Sequence, residues 1–118
     1  MTSKTCEPTS LTAARLLKTK REALLKKRVM DDLRTLAQAG NPIWYYKAQE
    51  VGRRGIPDII ACVNGLFVAL ELKAEGEVPT PLQAMMLANM VKAGSKKAVV
   101  VMPSTWPAIL DEVKELLK

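Results

Sequence analysis

The sequence predicts an α/β fold: a mixed four-stranded sheet flanked by helices, in the order α-β-β-β-α-β, with one further helix at the C-terminus. Three observations carry that prediction. Asn64-Gly65 separates two apolar runs, Ile59–Val63 and Leu66–Leu70. Asn-Gly between such runs signals a two-residue hairpin, because a type I′ turn needs positive φ at both central residues. Apolar residues recur at helical spacing both before and after the hairpin. A short, fully apolar run, Ala98–Met102, follows the second of these helical stretches, and a strand–helix–strand unit of that length implies a parallel, right-handed crossover.

The elements follow in order. Residues 1–9 are polar and read as a mobile leader. Ser10 is placed to cap a helix running from about Leu11 to Ala39, and the pattern allows a break near Thr19. Gly40 and Asn41-Pro42 are its stop signals. Its inward stripe is Leu25, Val29, Leu33 and Leu36, and one step of three further back stands Glu22. That carboxylate is either an ordinary exposed charge beyond the stripe or a group aimed at the hairpin's acidic end. Ile43–Lys47 (IWYYK) reads as a strand. The loop after it, Ala48–Gly55, carries Arg53, Arg54 and two glycines, and suits either phosphate contact or a solvated connection.

In the hairpin register, Val63 faces Leu66 and pairing runs outward through Ile59 and Leu70 to Asp58 and Glu71. Opposed residues have Cβ atoms about 4.5–5.5 Å apart, and like charges placed there destabilise a sheet. A divalent cation between the two carboxylates would remove the conflict. Lys73 shares the face of Glu71, because the strand period is two. The alternative is a salt-bridge cluster at the sheet's rim. Beyond Lys73, Thr80-Pro81-Leu82-Gln83 opens a helix with a capping box. Gln83 also starts the stripe Met86, Leu87, Met90, Val91, which turns it toward the sheet. Gly94 ends this helix and Pro103 ends the strand Ala98–Met102. Ser104 or Thr105 caps a last helix with the stripe Trp106, Ile109, Leu110, Val113, Leu116, Leu117.

Composition limits the chemistry. The 118 residues suit one domain with a substantial core, and 48% hydrophobic content argues against disorder. With no histidine, His-activated nucleophiles and His–metal sites are excluded. Cys6 and Cys62 cannot form a Cys₄ zinc site, no disulfide is expected, and a reducing cytoplasm fits. No apolar run approaches the roughly 20 residues of a membrane span, and Arg15 interrupts the best candidate for a signal-peptide core. The net charge is +6, with residues 1–57 holding 12 Lys/Arg against 5 Asp/Glu. That excess favours polyanions, chiefly nucleic acid or an anionic membrane surface, unless it is only a solvated helix face. Two carboxylates and a backbone carbonyl at Leu72 offer the hard oxygen donors that Mg²⁺ prefers. Lys73 beside them could act on a water or on the charge of a phosphoryl transition state.

Pro57-Asp58 followed by Glu71-Leu72-Lys73 resembles the PD-(D/E)xK nuclease superfamily. The ordered set Glu22, Gly55-Ile56-Pro57-Asp58, Glu71-Leu72-Lys73 and Thr80-Pro81-Leu82-Gln83 resembles, more narrowly, the VRR-NUC (virus-type replication–repair nuclease) domain. The likeness covers roughly residues 20–102. It implies a restriction-endonuclease-like core and Mg²⁺- or Mn²⁺-dependent hydrolysis of DNA. It implies Asp58, Glu71 and the Leu72 carbonyl as metal ligands, Glu22 as a candidate further ligand, Lys73 as the catalytic lysine, and Glu22 and Gln83 as supporting residues. Stand-alone members resemble small phage or bacterial proteins that dimerise and cut branched DNA such as four-way (Holliday) junctions. A homodimer in a bacterial or phage-infected cytoplasm is therefore expected, joined through the aromatic strand or the last helix. DNA contacts are expected from Arg53, Arg54, Lys20, Arg21, Lys26 and Lys27, reading shape rather than sequence. The competing reading is a non-catalytic nucleic-acid-binding module on the same fold; a protein-interaction domain is a third.

Overall fold

The computed structural model describes residues 9–48 and 54–118. The expectations for most of the leader, Cys6 and Arg53 lie outside them. Seven elements follow in the order α1 (Thr9–Gln38), β1 (Ile43–Lys47), β2 (Ile59–Val63), β3 (Leu66–Leu72), α2 (Pro81–Lys92), β4 (Lys97–Val101) and α3 (Trp106–Leu116). The sheet order is β1-β2-β3-β4, antiparallel across the first two interfaces and parallel across β3 and β4. This is the mixed four-stranded sheet that the sequence predicts.

The hairpin turns as its residues require. Asn64 and Gly65 have φ of 51° and 81°, and the five pairs from Val63↔Leu66 to Ile59↔Leu70 hold the expected register. Asn64 Nδ2 also donates to the Leu116 carbonyl at 3.0 Å, fastening the turn to the end of α3.

The two faces of the sheet are built differently. Alternate residues of β3 point to opposite sides. Val68, Leu70 and Leu72 join Ile59, Ala61 and Val63 beneath α1 and α3, in one core with Leu25, Val29, Leu33, Trp106 and Val113. On the other side, Ala69 and Ala98 meet Leu87 of α2. Trp106 is fully buried, and its indole N–H donates to Asp32 Oδ2 on α1 at 2.7 Å. That bond lets a large ring with a polar edge sit in an apolar layer.

Three local expectations are corrected. The first helix begins by Thr9, so Thr9 and Ser10 belong to it rather than to a leader and a cap. It runs unbroken through Thr19, whose hydroxyl donates to the Arg15 carbonyl at 3.0 Å. A threonine that bonds back along its own helix has no competing turn to form. At α3, Thr105 holds the N-cap position but makes no side-chain cap bond: its Oγ1 accepts from Met102 N–H at 2.9 Å. Ser104 turns away to Glu75, donating from N–H at 3.0 Å and from its hydroxyl at 2.7 Å.

Candidate active site

The strands β2 and β3 bring their polar ends together where the sheet ladder stops. The paired register ends at Ile59↔Leu70, one step short of the expected Asp58–Glu71 pair. Asp58 sits just outside the strand. Its Oδ2 accepts the Leu72 N–H at 2.8 Å, while its own carbonyl accepts from Ala48 N–H at 2.8 Å. The carboxylate thus satisfies a backbone donor that the end of the hairpin would leave open. The loop into Asp58 is held by a close approach. A Cβ on Gly55 would lie 2.8 Å from Leu82 Cγ and 3.1 Å from Met86 Cγ, and Gly55 has φ of 82°. Both the space and the backbone conformation therefore call for glycine.

Glu71 is buried, at 3% exposure, although it is a carboxylate. Its Oε2 accepts from Gln83 Nε2 at 3.0 Å and lies 3.8 Å from Lys73 Nζ. Burial pushes its pKa from 4.5 up to about 8. The charge of Asp58 and a hydrogen bond with that carboxyl push the same way, and nearby Lys73 only partly offsets them. A like charge close by at low dielectric favours the protonated form of a buried carboxyl.

Gln83 performs both roles that its position suggests. Its Oε1 accepts from Thr80 N–H at 2.9 Å and its N–H donates to Thr80 Oγ1 at 3.1 Å, completing the capping box. The other end of the same amide reaches Glu71. Start of helix and site carboxylate are therefore locked together by one side chain.

These groups line a pocket of about 310 Å³ with Thr19, Glu22, Ala23 and Lys26 of α1. Glu22, the carboxylate in line with a core stripe, lies on the pocket wall. An ion pair of 2.9 Å between Lys18 and Glu77 ties α1 to the loop after β3. Of the expected DNA contacts, Lys26 belongs to the pocket itself. Lys20 and Arg54 are exposed. Lys27 is engaged with Asp31 on its own helix at 2.8 Å. Arg21 lies on a different side of α1, in a groove with Leu24, Arg28 and Glu75. Thr19 and Ala23 are site residues that sequence reasoning missed. Their signal was available, since i−3 and i+1 of Glu22 share a rim once Glu22 is placed.

The donor set suits a hard divalent cation. Two carboxyls crowded together, one of them buried, beside Leu72 at the pocket form a place where a dication can offset their repulsion. Among the described residues no group of three His, Cys, Asp or Glu side chains is gathered as a metal site. A cation at Asp58 and Glu71 would therefore take its remaining ligands from backbone oxygen, water and substrate phosphate.

No family model matches the sequence. The chain is 34% identical over 81 residues to a protein described as "Putative nuclease p44" of Acyrthosiphon pisum secondary endosymbiont phage 1, a span covering 68% of this chain and 82% of that relative. Its fold is similar to that of a solved structure described as a VRR_NUC domain. The TM-score is 0.57 at 22% identity, over 81% of this chain and 92% of the other. Among the described residues no helix is long and apolar enough to cross a membrane.

Proposed function

The chain belongs to the VRR-NUC family of nucleases, and from that premise we propose that it is a divalent-cation-dependent, structure-selective DNA endonuclease acting on branched DNA such as four-way junctions. The observation that carries the reading is the buried Glu71 carboxyl, held between Asp58, Lys73 and Gln83 at the mouth of one pocket. Burying a carboxyl beside another carboxyl costs stability, and a purely structural rim has no use for it.

Asp58, Glu71 and the Leu72 carbonyl would hold Mg²⁺ or Mn²⁺, with Glu22 as a further ligand or a group that positions water. When bound, the cation supplies charge neutralisation at the scissile phosphate and acidifies water there. Gln83 fixes the carboxylate of Glu71 in the orientation that faces the pocket. Lys73, two residues further along the same face, meets the reacting phosphate and either orients the attacking water or stabilises charge as the phosphorus–oxygen bond breaks. Lys20, Lys26 and Arg54 engage backbone phosphates, which gives binding that weakens steeply with salt and carries little base information. A two-fold dimer presents two such pockets to the symmetric arms of a junction.

The test is cleavage of labelled four-way junction, flap and plain duplex DNA in Mg²⁺, Mn²⁺ or EDTA, with Lys73→Ala alongside. Cutting in either metal, none in EDTA or in the variant, and faster cutting of the branched substrates are expected. No cutting of any substrate, with junction binding intact, would replace the enzyme by a non-catalytic binding module.

A further inference from the structure

The α2 side of the sheet is only half covered. Leu87 of α2 packs on Ala69 and Ala98, over β3 and β4. Among the described residues the same side is exposed over β1, β2 and the start of β3: Trp44 is 60% exposed, Tyr46 51% and Phe67 40%, and Cys62 is exposed with them. The register places Trp44 opposite Cys62, which faces Phe67, and Tyr46 opposite Ile60, which faces Ala69. Asp58 stands two residues before Ile60 and Glu71 two residues after Ala69, so the rows step along one face into the candidate site. Each step of two residues is about 6.8 Å. The Tyr46 row is therefore one step from the carboxylates and the Trp44 row two.

The two rings are stacked, with centroids 6.0 Å apart and planes 6° from parallel. They leave exposed aromatic surface on a face of the sheet whose other residues, Ile60, Cys62, Phe67 and Ala69, carry no charge. The cationic groups stand elsewhere around the pocket, at Lys26, Lys73 and the basic stretch of α1. Single-stranded nucleic acid is held by this division: basic groups track the phosphates and aromatic faces take the bases. Resting on the nuclease reading above, we propose that Tyr46 and Trp44 form a stacking platform for unpaired bases of the DNA strand whose phosphate lies at Asp58 and Glu71. The substrate class this favours is DNA with unpaired nucleotides next to the scissile bond: flaps, gaps or the splayed strands at a branch point. Ile60, Cys62 and Phe67 continue the uncharged face beside the two rings, and continuity with the pocket selects this occupant over a second copy of the chain.

The test uses the intact protein in EDTA, so that binding is read without cutting. Trp106 is fully buried, which leaves Trp44 as the solvent-accessible fluorophore. Oligothymidine should quench its emission, and an abasic strand of the same length should not. Tyr46→Ala should weaken oligothymidine binding roughly tenfold or more while blunt-duplex binding stays unchanged, since base–aromatic stacking has that scale. Equal quenching by the abasic strand, or unchanged oligothymidine affinity in Tyr46→Ala and Trp44→Ala, would overturn the platform. So would a fall in sedimentation mass from dimer to monomer in Tyr46→Ala, which would give the face to a second copy. Cutting that fails while base-dependent quenching persists would count against the nuclease reading and leave the platform standing.

Discussion

The two sides of the sheet teach different lessons from one backbone. Under α1 and α3 the even-numbered positions of β3 are closed over by leucine, valine and the Trp106 ring, and the polar atom brought inside, the indole N–H, has its acceptor on Asp32. On the α2 side the odd-numbered positions start at an open aromatic face, pass beneath a thin layer of Ala69 and Leu87, and end at a buried carboxyl with another carboxyl beside it. The first side contributes most of the stability. The second gives some of it up in order to hold reactive groups.

That contrast is sharpened first by truncating the closed side. Trp106→Ala removes the largest fully buried side chain and strands Asp32, so a loss of about 3–5 kcal/mol is expected in denaturant unfolding. A loss near 1 kcal/mol would show that this side is no tighter than the other.

The open side should instead show itself through pH. A carboxyl with a folded pKa of about 8 and an ordinary value of 4.5 stabilises the fold fully below pH 4.5. That contribution is lost as pH rises through 8, amounting to a few kcal/mol at most. Metal-free protein should therefore lose Tm between about pH 5 and 8, and Glu71→Gln should flatten that slope. Adding Mg²⁺ at pH 8 should restore Tm to the wild type but not to Glu71→Gln. A wild-type slope identical to that of the variant would remove the buried carboxyl from the account.

The smallest effect belongs to the cap that joins α2 to the site. Thr80→Ala loses one half of the capping box, for about 1 kcal/mol. The Gln83 side chain keeps both its partners in this variant, the Thr80 backbone N–H and Glu71, so cutting should fall no further than the loss of stability explains. A larger fall in cutting would show that the start of α2, and not the Gln83 amide alone, positions Glu71.

Much of this was legible in the residues. The strand Ile43–Lys47 was legible in its aromatic residues, and all five hairpin pairs follow from Asn64-Gly65 and period-two alternation, since a register slip would turn every core residue outward. Both roles of Gln83 followed from its place at once in a capping box and at the head of an apolar stripe. Other features depend on long-range contact and left no local signal. The Asp32–Trp106 bond joins residues 74 apart. Glu75 captures Ser104 from 29 residues away and takes it out of the helix cap. Asp58 leaves the strand because the end of the ladder leaves the Leu72 N–H in need of an acceptor, which a pairing rule cannot anticipate. The spread of charge along α1 was visible, but not which side each charge faces: Lys26 reaches the pocket while Arg21, five residues earlier, lies beside Glu75.

The most direct measurement is the cleavage rate of Asp58→Asn beside wild type in Mg²⁺, with Tm recorded on the same samples without metal at pH 8. An asparagine oxygen can still accept the Leu72 N–H, so the fold is kept while the charge is removed. Cutting should fall by about a thousandfold or more, with Tm equal to or above wild type because the Glu71 carboxyl loses its repulsive neighbour. Undiminished cutting by a stably folded Asp58→Asn protein would contradict the claim that this paired carboxyl site performs the chemistry.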